Sequence, residues 1–315
     1  MMGDLNLIKL YVSCPLKQHM VVFKLLRVKD WAKNLFLFIP LFFSTQLFNT
    51  DKFTNLIIGF FAFSFVASAI YILNDYRDIE DDRNHPEKKK RPLAAGKIKK
   101  STAIIICVAL ILAGFFLSYL ANPKLKFTFV LGIYLLINVA YSLGLKTIPI
   151  LDIFIVAAGF VLRIKAGSVI SGIEVSEWLN IMVFLLALFM ATAKRRDDIL
   201  LKISSGMDMR KSVKGYNLEY LSTIMSLICG VIIIAYFMYT MSPEVIHRMG
   251  THRLYYTCIF VIIGIMRYLQ IVLVKGESGS PTNILYKDRF IQITLLLWIS
   301  SFFAILYLKN VTVFN

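Results

Sequence analysis

The chain has 315 residues, 58% of them hydrophobic, and a formal net charge of +16 from 35 Lys and Arg against 19 Asp and Glu. Its mean hydropathy is +0.69. That combination excludes a soluble globular domain and a disordered chain, and describes an integral membrane protein whose cations lie outside its apolar runs. Such charge suits anionic lipid headgroups or phosphorylated substrates. No motif or separate soluble region suited to reading nucleic acid accompanies it.

Residues 1–33 mix charges with apolar side chains, lack the layout of a signal peptide, and read as an amphipathic cytoplasmic segment leading into the membrane. A helix needs about 20 apolar residues to cross a bilayer. Nine stretches are candidates: Asn34–Phe48, Leu56–Asn74, Thr102–Leu120, Phe127–Leu143, Ile150–Ile170, Leu179–Ala193, Leu221–Met241, Tyr255–Val274 and Phe290–Leu308. The expected fold is all-α, a polytopic bundle of nine transmembrane helices forming a single domain over residues 1–315. With the N-terminus inside, the cytoplasmic segments hold 26 Lys and Arg and the outer ones 6. This excess follows the positive-inside rule. It puts the two long polar loops, after the second and sixth spans, at the cytoplasmic face of the plasma (inner) membrane. Cys14, Cys107, Cys229 and Cys258 lie far apart, show no metal-ligand spacing, and read as small apolar side chains.

The first polar feature is Arg27-Val28-Lys29-Asp30-Trp31-Ala32-Lys33-Asn34. Trp31 suits an interfacial anchor, and Lys33 and Asn34 are candidates to face a site at headgroup level. The second span then runs into Asn74-Asp75-Tyr76-Arg77-Asp78-Ile79-Glu80-Asp81-Asp82-Arg83. Asp75, Asp78 and Asp82 fall at i, i+3 and i+7, on one face if the helix continues. Two carboxylates about 6 Å apart repel by roughly 3 kcal/mol at an effective dielectric near 20. A divalent cation would relieve that repulsion, and hard oxygen ligands suit Mg²⁺, which also carries phosphate oxygens. The alternative is a solvated acidic helix end with Arg77 and Arg83 as partners.

The loop continues Arg83-Asn84-His85-Pro86-Glu87-Lys88-Lys89-Lys90-Arg91-Pro92-Leu93-Ala94-Ala95-Gly96-Lys97. Pro86 and Pro92 stop a helix and Gly96 supplies a turn. Acids for a metal followed by bases for phosphate oxygens match the needs of a pyrophosphate leaving group. Arg83, Lys88 and Arg91 are the candidates for substrate contact and His85 for orienting the loop. Lys89, Lys90, Lys97, Lys99 and Lys100 read as cations for lipid headgroups.

On the fourth span Tyr134, Asn138 and Tyr141 make a polar stripe, and Lys146 follows. Interhelical hydrogen bonding is the plainer reading of the stripe. Asp152 and Arg163 share one face of the fifth span about 16 Å apart. Ionisable groups at membrane depth usually line a cavity. Lys194-Arg195-Arg196-Asp197-Asp198 ends the sixth span, with Lys194 and Arg195 nearest the membrane; ordinary snorkelling is the alternative. Arg267-Tyr268 and Asp288-Arg289 flank the last loop with no role assigned.

Together these residues resemble the UbiA superfamily of intramembrane prenyltransferases, through the NDxxDxxxD pattern of Asn74, Asp75, Asp78 and Asp82. The chain is most similar to its decaprenyl-phosphate phosphoribosyltransferase branch, over nearly its whole length. The similarity runs through an RPxQWxKN-like start (Arg27 to Asn34), NDxRDxExDRxHPxKxxRPxAAG (Asn74 to Gly96), and YSxGLK followed by Asp152. It continues in GFxxR (Gly159 to Arg163), the Lys194-Arg195 pair, and the Arg267-Tyr268 and Asp288-Arg289 ending. Val28 stands where that branch tends to have Pro. Arg196-Asp197-Asp198 also departs from the pattern, so no role passes to Asp197 or Asp198. A basic pair stands near the second aspartate motif of the aromatic prenyltransferases.

The resemblance implies a UbiA-like bundle with a cytoplasm-facing polar cavity. It implies Mg²⁺-dependent transfer of 5-phosphoribose from phosphoribosyl diphosphate to a polyprenyl phosphate, with release of pyrophosphate, in cell-envelope synthesis. Asp75, Asp78 and Asp82 would be catalytic and hold Mg²⁺, and Asn74 would position the diphosphate. Arg83, Lys88 and Arg91 would neutralise the leaving group. Lys33, Lys146, Lys194 and Arg195 are candidates for the 5-phosphate and the lipid phosphate, and Asn34, Tyr141, Asp152 and Arg163 complete the substrate-binding set. The alternative is a UbiA-type aromatic prenyltransferase with a polyprenyl diphosphate donor. A cation or lipid-phosphate transporter, using the acids as a transit site, is a third.

Overall fold

The computed structural model describes residues 15–44, 46, 48–84, 88–205, 215–275, 284 and 286–307, and these contain helices and turns with no strand. Residues 1–14 of the amphipathic segment, Cys14, His85 and Pro86 lie outside that set. The fold opens with α1 (Pro15–Leu26), a 3-10 helix (Val28–Phe38) and α2 (Ile39–Phe42). There follow α3 (Thr50–Arg77), α4 (Ile79–Asn84), a 3-10 turn (Lys88–Lys90), α5 (Lys100–Ala121), α6 (Lys126–Leu143), α7 (Leu151–Ser171) and α8 (Glu177–Ser205). The chain ends in α9 (Leu218–Met241), α10 (Pro243–Met249), α11 (Cys258–Leu269) and α12 (Arg289–Tyr307). A 3-10 turn (Arg253–Thr257) precedes α11 and a π-helical turn (Gln270–Val274) extends it.

Among the described residues eight helices are long and apolar enough to cross a membrane, against the nine expected. The missing one is the first. Arg27 takes a left-handed conformation (φ 49°) that ends α1. The residues after it wind as a 3-10 helix and reach Pro40 within a four-residue α2. At about 2.0 Å per 3-10 residue and about 1.5 Å per α residue this stretch extends about 28 Å, close to the thickness of a hydrocarbon core. The tighter winding compensates for its shortness.

Small residues let this segment lie deep in the bundle. Leu37 and Leu41 are fully buried, and the Leu37 backbone crosses α7 at Gly167, where an added Cβ would sit 2.0 Å from the Leu37 carbonyl oxygen. Trp31 fastens the same segment to α3, donating from Nε1 to Ser68 Oγ at 3.0 Å and packing edge-on against Phe60 and Phe61. Gly114 plays the equivalent part where α5 crosses α3, with Val66 and the Ala62 carbonyl at its surface.

α7 is the central helix. One of its faces joins Phe63, Val66, Phe127 and Leu131 in a core with α3, α6 and the first segment. Another joins Ala187, Phe189, Ile228 and Tyr268 in a core with α8, α9 and α11. In α5, by contrast, only 17% of the apolar window is buried, against 61% in α3, so Ile105, Leu112 and Phe116 form a lipid-facing surface. Cys107, Cys229 and Cys258 are free thiols. At 28 residues α3 rises about 42 Å, more than the hydrocarbon needs. The surplus leaves room for polar residues at both ends, Thr50-Asp51-Lys52 at the start and Asn74 and Asp75 near the finish.

Gly167→Ala will lower the unfolding temperature in detergent, because backbone stands where the methyl must go. Gly132→Ala on α6, where nothing lies within 4 Å, will leave it unchanged or raise it. Equal behaviour of the two variants would show that the α7 crossing tolerates a gap.

Candidate active site

The C-terminal ends of α3, α6 and α8 and the N-terminal ends of α7 and α9 meet at one end of the bundle. α3 stops at Arg77, with Asp78 at its C-cap, and α4 restarts at Ile79. This break divides the three aspartates. Asp75 is 2% exposed and Asp82 3%. Arg91 Nη1 donates to Asp75 Oδ1 at 3.0 Å and to Asp82 Oδ2 at 2.7 Å, bridging them. Arg27 donates to the same Asp75 oxygen and stacks over the Tyr71 ring at 4.8 Å. Asp78 turns instead to Lys146, whose Nζ lies 2.5 and 2.7 Å from its two carboxylate oxygens. Asn74 links these groups, donating to Asp78 at 3.2 Å and accepting from Lys146 at 3.4 Å.

A second network lies across the site. Asp152, fully buried at the start of α7, binds Arg195 of α8 through Oδ2 and accepts from the Tyr216 hydroxyl at 2.8 Å through Oδ1. Arg195 also donates to Asp198 at 3.0 Å and to the Tyr141 hydroxyl at 3.4 Å. The Tyr216 hydroxyl accepts in turn from the Ile150 backbone N–H. Ile150 has φ 70°, a region disfavoured for a β-branched residue, and this bond helps to hold it there. Gly215 lies against Pro149, where a Cβ would come within 2.3 Å of the ring.

Deeper in the bundle, Arg163 is 5% exposed. It donates through Nε to Asn34 Oδ1 at 2.8 Å, through Nη1 to the Gly159 carbonyl at 2.8 Å, and through Nη2 to the Tyr134 hydroxyl at 2.9 Å. The rings of Phe63, Tyr134 and Phe160 lie 5.0–5.3 Å from the guanidinium carbon. Neutral acceptors and aromatic faces thus surround the cation. Asn34 completes the arrangement by donating to Ser64 Oγ at 2.9 Å.

The residues expected at the site therefore fall into groups. Asp75, Asp82 and Arg91 form one, Asn74, Asp78 and Lys146 an adjoining one, and Tyr141, Asp152 and Arg195 a third; Asn34 and Arg163 join each other. Lys33 pairs with Asp30 at 2.6 Å. Arg83 is half-exposed, pairing with Glu80 at 3.0 Å and donating through Nε to the Ala94 carbonyl at 3.4 Å. Lys88 begins the short 3-10 turn and Lys194 is exposed on α8. Of the polar stripe, Tyr134 and Tyr141 serve different networks, and Asn138 bonds the Tyr134 backbone carbonyl at 2.8 Å. Arg27 and Tyr216 were not among the expected site residues. Arg27 had a signal in its position within the resembling start motif; Tyr216 had none.

A metal fits part of this arrangement. Asp75 and Asp82 aim one oxygen each at the same cationic nitrogen, so two hard donors already converge on a point of positive charge. Mg²⁺ is commonly held by one or two carboxylates together with substrate phosphates. Among the described residues, however, no three His, Cys, Asp or Glu side chains converge on one point. Asp78 would become a third ligand only by leaving Lys146.

At the edge of this end, Arg267 on α11 donates to Asp288 Oδ2 at 2.7 Å, and the Ile291 N–H caps Oδ1 at 2.9 Å. The Arg267 hydrogen bond holds the Asp288 carboxyl below its usual range. A depressed carboxyl adds stability above its unfolded value, near 3.9, and that stability is lost as pH falls through the folded value. Unfolding temperatures followed below about pH 4 will fall less steeply in Asp288→Asn than in the unaltered protein.

Asp152→Asn weakens the charge pairing of buried Arg195 and will cost about 3 kcal/mol. Tyr216→Phe strips partners from Ile150 and Asp152 and will cost about 1–2 kcal/mol. The double variant will lose less than the sum, because one change weakens and the other removes the Tyr216–Asp152 bond. Chemical unfolding in detergent measures all three, and strictly additive losses would show that the hydroxyl does not act through Asp152.

The UbiA prenyltransferase family model matches residues 35–294. Decaprenyl-phosphate phosphoribosyltransferase from Corynebacterium glutamicum is 36% identical over 279 residues, covering 88% of this chain and 83% of that protein. The protein of the same name from Mycolicibacterium smegmatis is 33% identical over 294 residues, covering 90% and 92%. Among solved structures, a UbiA homolog from Archaeoglobus fulgidus bound to GPP and Mg²⁺ has a TM-score of 0.67 at 21% identity, covering 91% of this chain and 99% of that one. The fold and the long matched span agree: this chain belongs to the UbiA prenyltransferase family.

Proposed function

We propose that the protein transfers the 5-phosphoribosyl group of phosphoribosyl diphosphate to a polyprenyl phosphate and releases pyrophosphate. The observation that carries this reading is the charge arrangement at Asp75. Buried Asp75 is held by Arg27 and Arg91 and half-buried Asp78 by Lys146, and Arg91 and Lys146 can exchange carboxylate oxygens for phosphate oxygens. The names of the relatives in Corynebacterium glutamicum and Mycolicibacterium smegmatis support this donor and acceptor. The excess of Lys and Arg on the segments at this end supports a cytoplasmic site, with the N-terminus inside the plasma (inner) membrane.

Asp75 and Asp82, with Asp78 as a third ligand, would hold Mg²⁺, which when bound neutralises diphosphate oxygens and eases their departure. Arg91 moves from the carboxylates to the leaving diphosphate, and Arg27 remains to balance Asp75. Asn74 positions the diphosphate, with Lys88 and Arg83 at the mouth. Lys146 moves from Asp78 to a phosphate oxygen, and Lys33, Lys194 and Arg195 supply charge for the 5-phosphate and the lipid phosphate. Asp152 and Tyr141 fix the Arg195 guanidinium, while Asn34 and Arg163 form the cationic floor. A lipid phosphate oxygen attacks C1 of the ribose as the C1–O bond to diphosphate breaks, inverting that centre. The attacking oxygen is already anionic, so no general base is required.

Purified protein in detergent, given phosphoribosyl diphosphate, polyprenyl phosphate and Mg²⁺, will yield a phosphoribosylated lipid detectable by mass spectrometry. Asp75→Asn, or a chelator, will remove turnover by several orders of magnitude, and Arg91→Gln will lower it by about 10²-fold or more. Full turnover without divalent metal would overturn the metal assignment. A product formed only from labelled polyprenyl diphosphate and an aromatic acceptor would replace the reading with that of an aromatic prenyltransferase.

A further inference from the structure

The turn between α5 and α6 lies at the end of the bundle opposite the aspartates, since α6 must run its whole length before reaching Lys146. A shallow, open depression lies there, its walls almost wholly apolar, with Leu125, Phe129 and Val169 along it and Lys124, Lys126 and Lys165 at its borders. Among the described residues none of these three ammonium groups has a hydrogen-bond or ion-pair partner. Other cations at this end are matched: Lys52 bonds Gln46 at 2.7 Å and Arg248 bonds Glu244. Lys165 sits on α7 thirteen residues past Asp152, about 20 Å along the axis, and is exposed.

The backbone adds to the same charge. α6 is an 18-residue helix whose N-cap, Leu125, supplies no side-chain acceptor and stands at φ 60°. Its first amide groups and its dipole both favour an anion. The turn is also built to hold its shape. Asn122 donates to the Val169 carbonyl at 3.1 Å, the Leu125 N–H donates to the Asn122 carbonyl at 3.1 Å, and Ser118 meets Thr128 at 2.9 Å.

We propose that this depression binds an anionic phospholipid: the phosphate rests on the three lysines and the α6 N-terminus, and an acyl chain follows Leu125, Phe129 and Val169. The apolar walls select a lipid over a free ion. The site is separate from the reacting end and stands whether or not the proposed transfer is correct.

The test is native mass spectrometry of the whole protein released from nanodiscs containing equal phosphatidylglycerol and phosphatidylcholine. The unaltered protein will retain one phosphatidylglycerol that the Lys124→Gln, Lys126→Gln, Lys165→Gln triple variant loses. Each single variant will bind it roughly fivefold more weakly, the equivalent of about 1 kcal/mol per cation. Each variant is first checked for unchanged helical content, and Lys165→Gln alone carries the test if the triple variant does not fold. Retention of that lipid by the variants, or equal retention of phosphatidylcholine by the unaltered protein, would overturn the proposal. Displacement of the lipid by millimolar inorganic phosphate would do so too, by showing an ion site.

Discussion

Everything at the reacting end depends on how a charged carboxylate is kept at the end of a membrane helix. Asp75 is 2% exposed, and a lone carboxylate so placed would be strongly disfavoured. Arg27 and Arg91 make it tolerable, and each brings a segment with it. Arg27 fixes the break between α1 and the 3-10 helix. Arg91 draws the loop after α4 back over the end of α3 and, by sharing Asp82, sets the direction of α4. One buried charge thus gathers three separate stretches of chain.

The other side of the site uses the same physics with different parts. Asp152 on α7 and Arg195 on α8 are both buried and both hydrogen-bonded beyond their mutual contact, the condition under which a buried pair persists. Tyr216 ties that pair to the disfavoured backbone at Ile150. α7 therefore connects the two halves twice, through its apolar faces and through this bond. Asp75, Asp78, Asp82 and Asp152 are each matched by a cation. In the proposed transfer, binding of an anionic substrate would be an exchange of partners in place, rather than the burial of new charge.

Much of this was legible along the chain. The apolar runs gave eight of the expected spans within a few residues, because bilayer thickness leaves little freedom in length. Asp75, Asp82 and Arg91 fell in a loop whose order of acids and bases already pointed to a charged ligand. The i, i+3, i+7 spacing failed for Asp78 because α3 ends one residue before it, which turns that carboxylate toward Lys146. Arg83 stood among the loop bases, yet a nearby Glu80 on the same short helix satisfies it at the surface. The form of the first segment was not legible, because hydropathy carries no information about 3-10 winding or about the Gly167 notch that admits it.

The sequence by itself determined the membrane environment, the helical class, the family and the polar stretches that would meet at one end. These follow from local composition and spacing, which a helix converts directly into faces and lengths. Only the tertiary structure decided which charge answers which. Arg163 meets Asn34, Tyr216 meets Asp152 and Arg27 meets Asp75 across separations of 129, 64 and 48 residues. Such pairings are set by how the helices cross, and the crossings depend on small residues and backbone turns whose effect appears only once the helices touch.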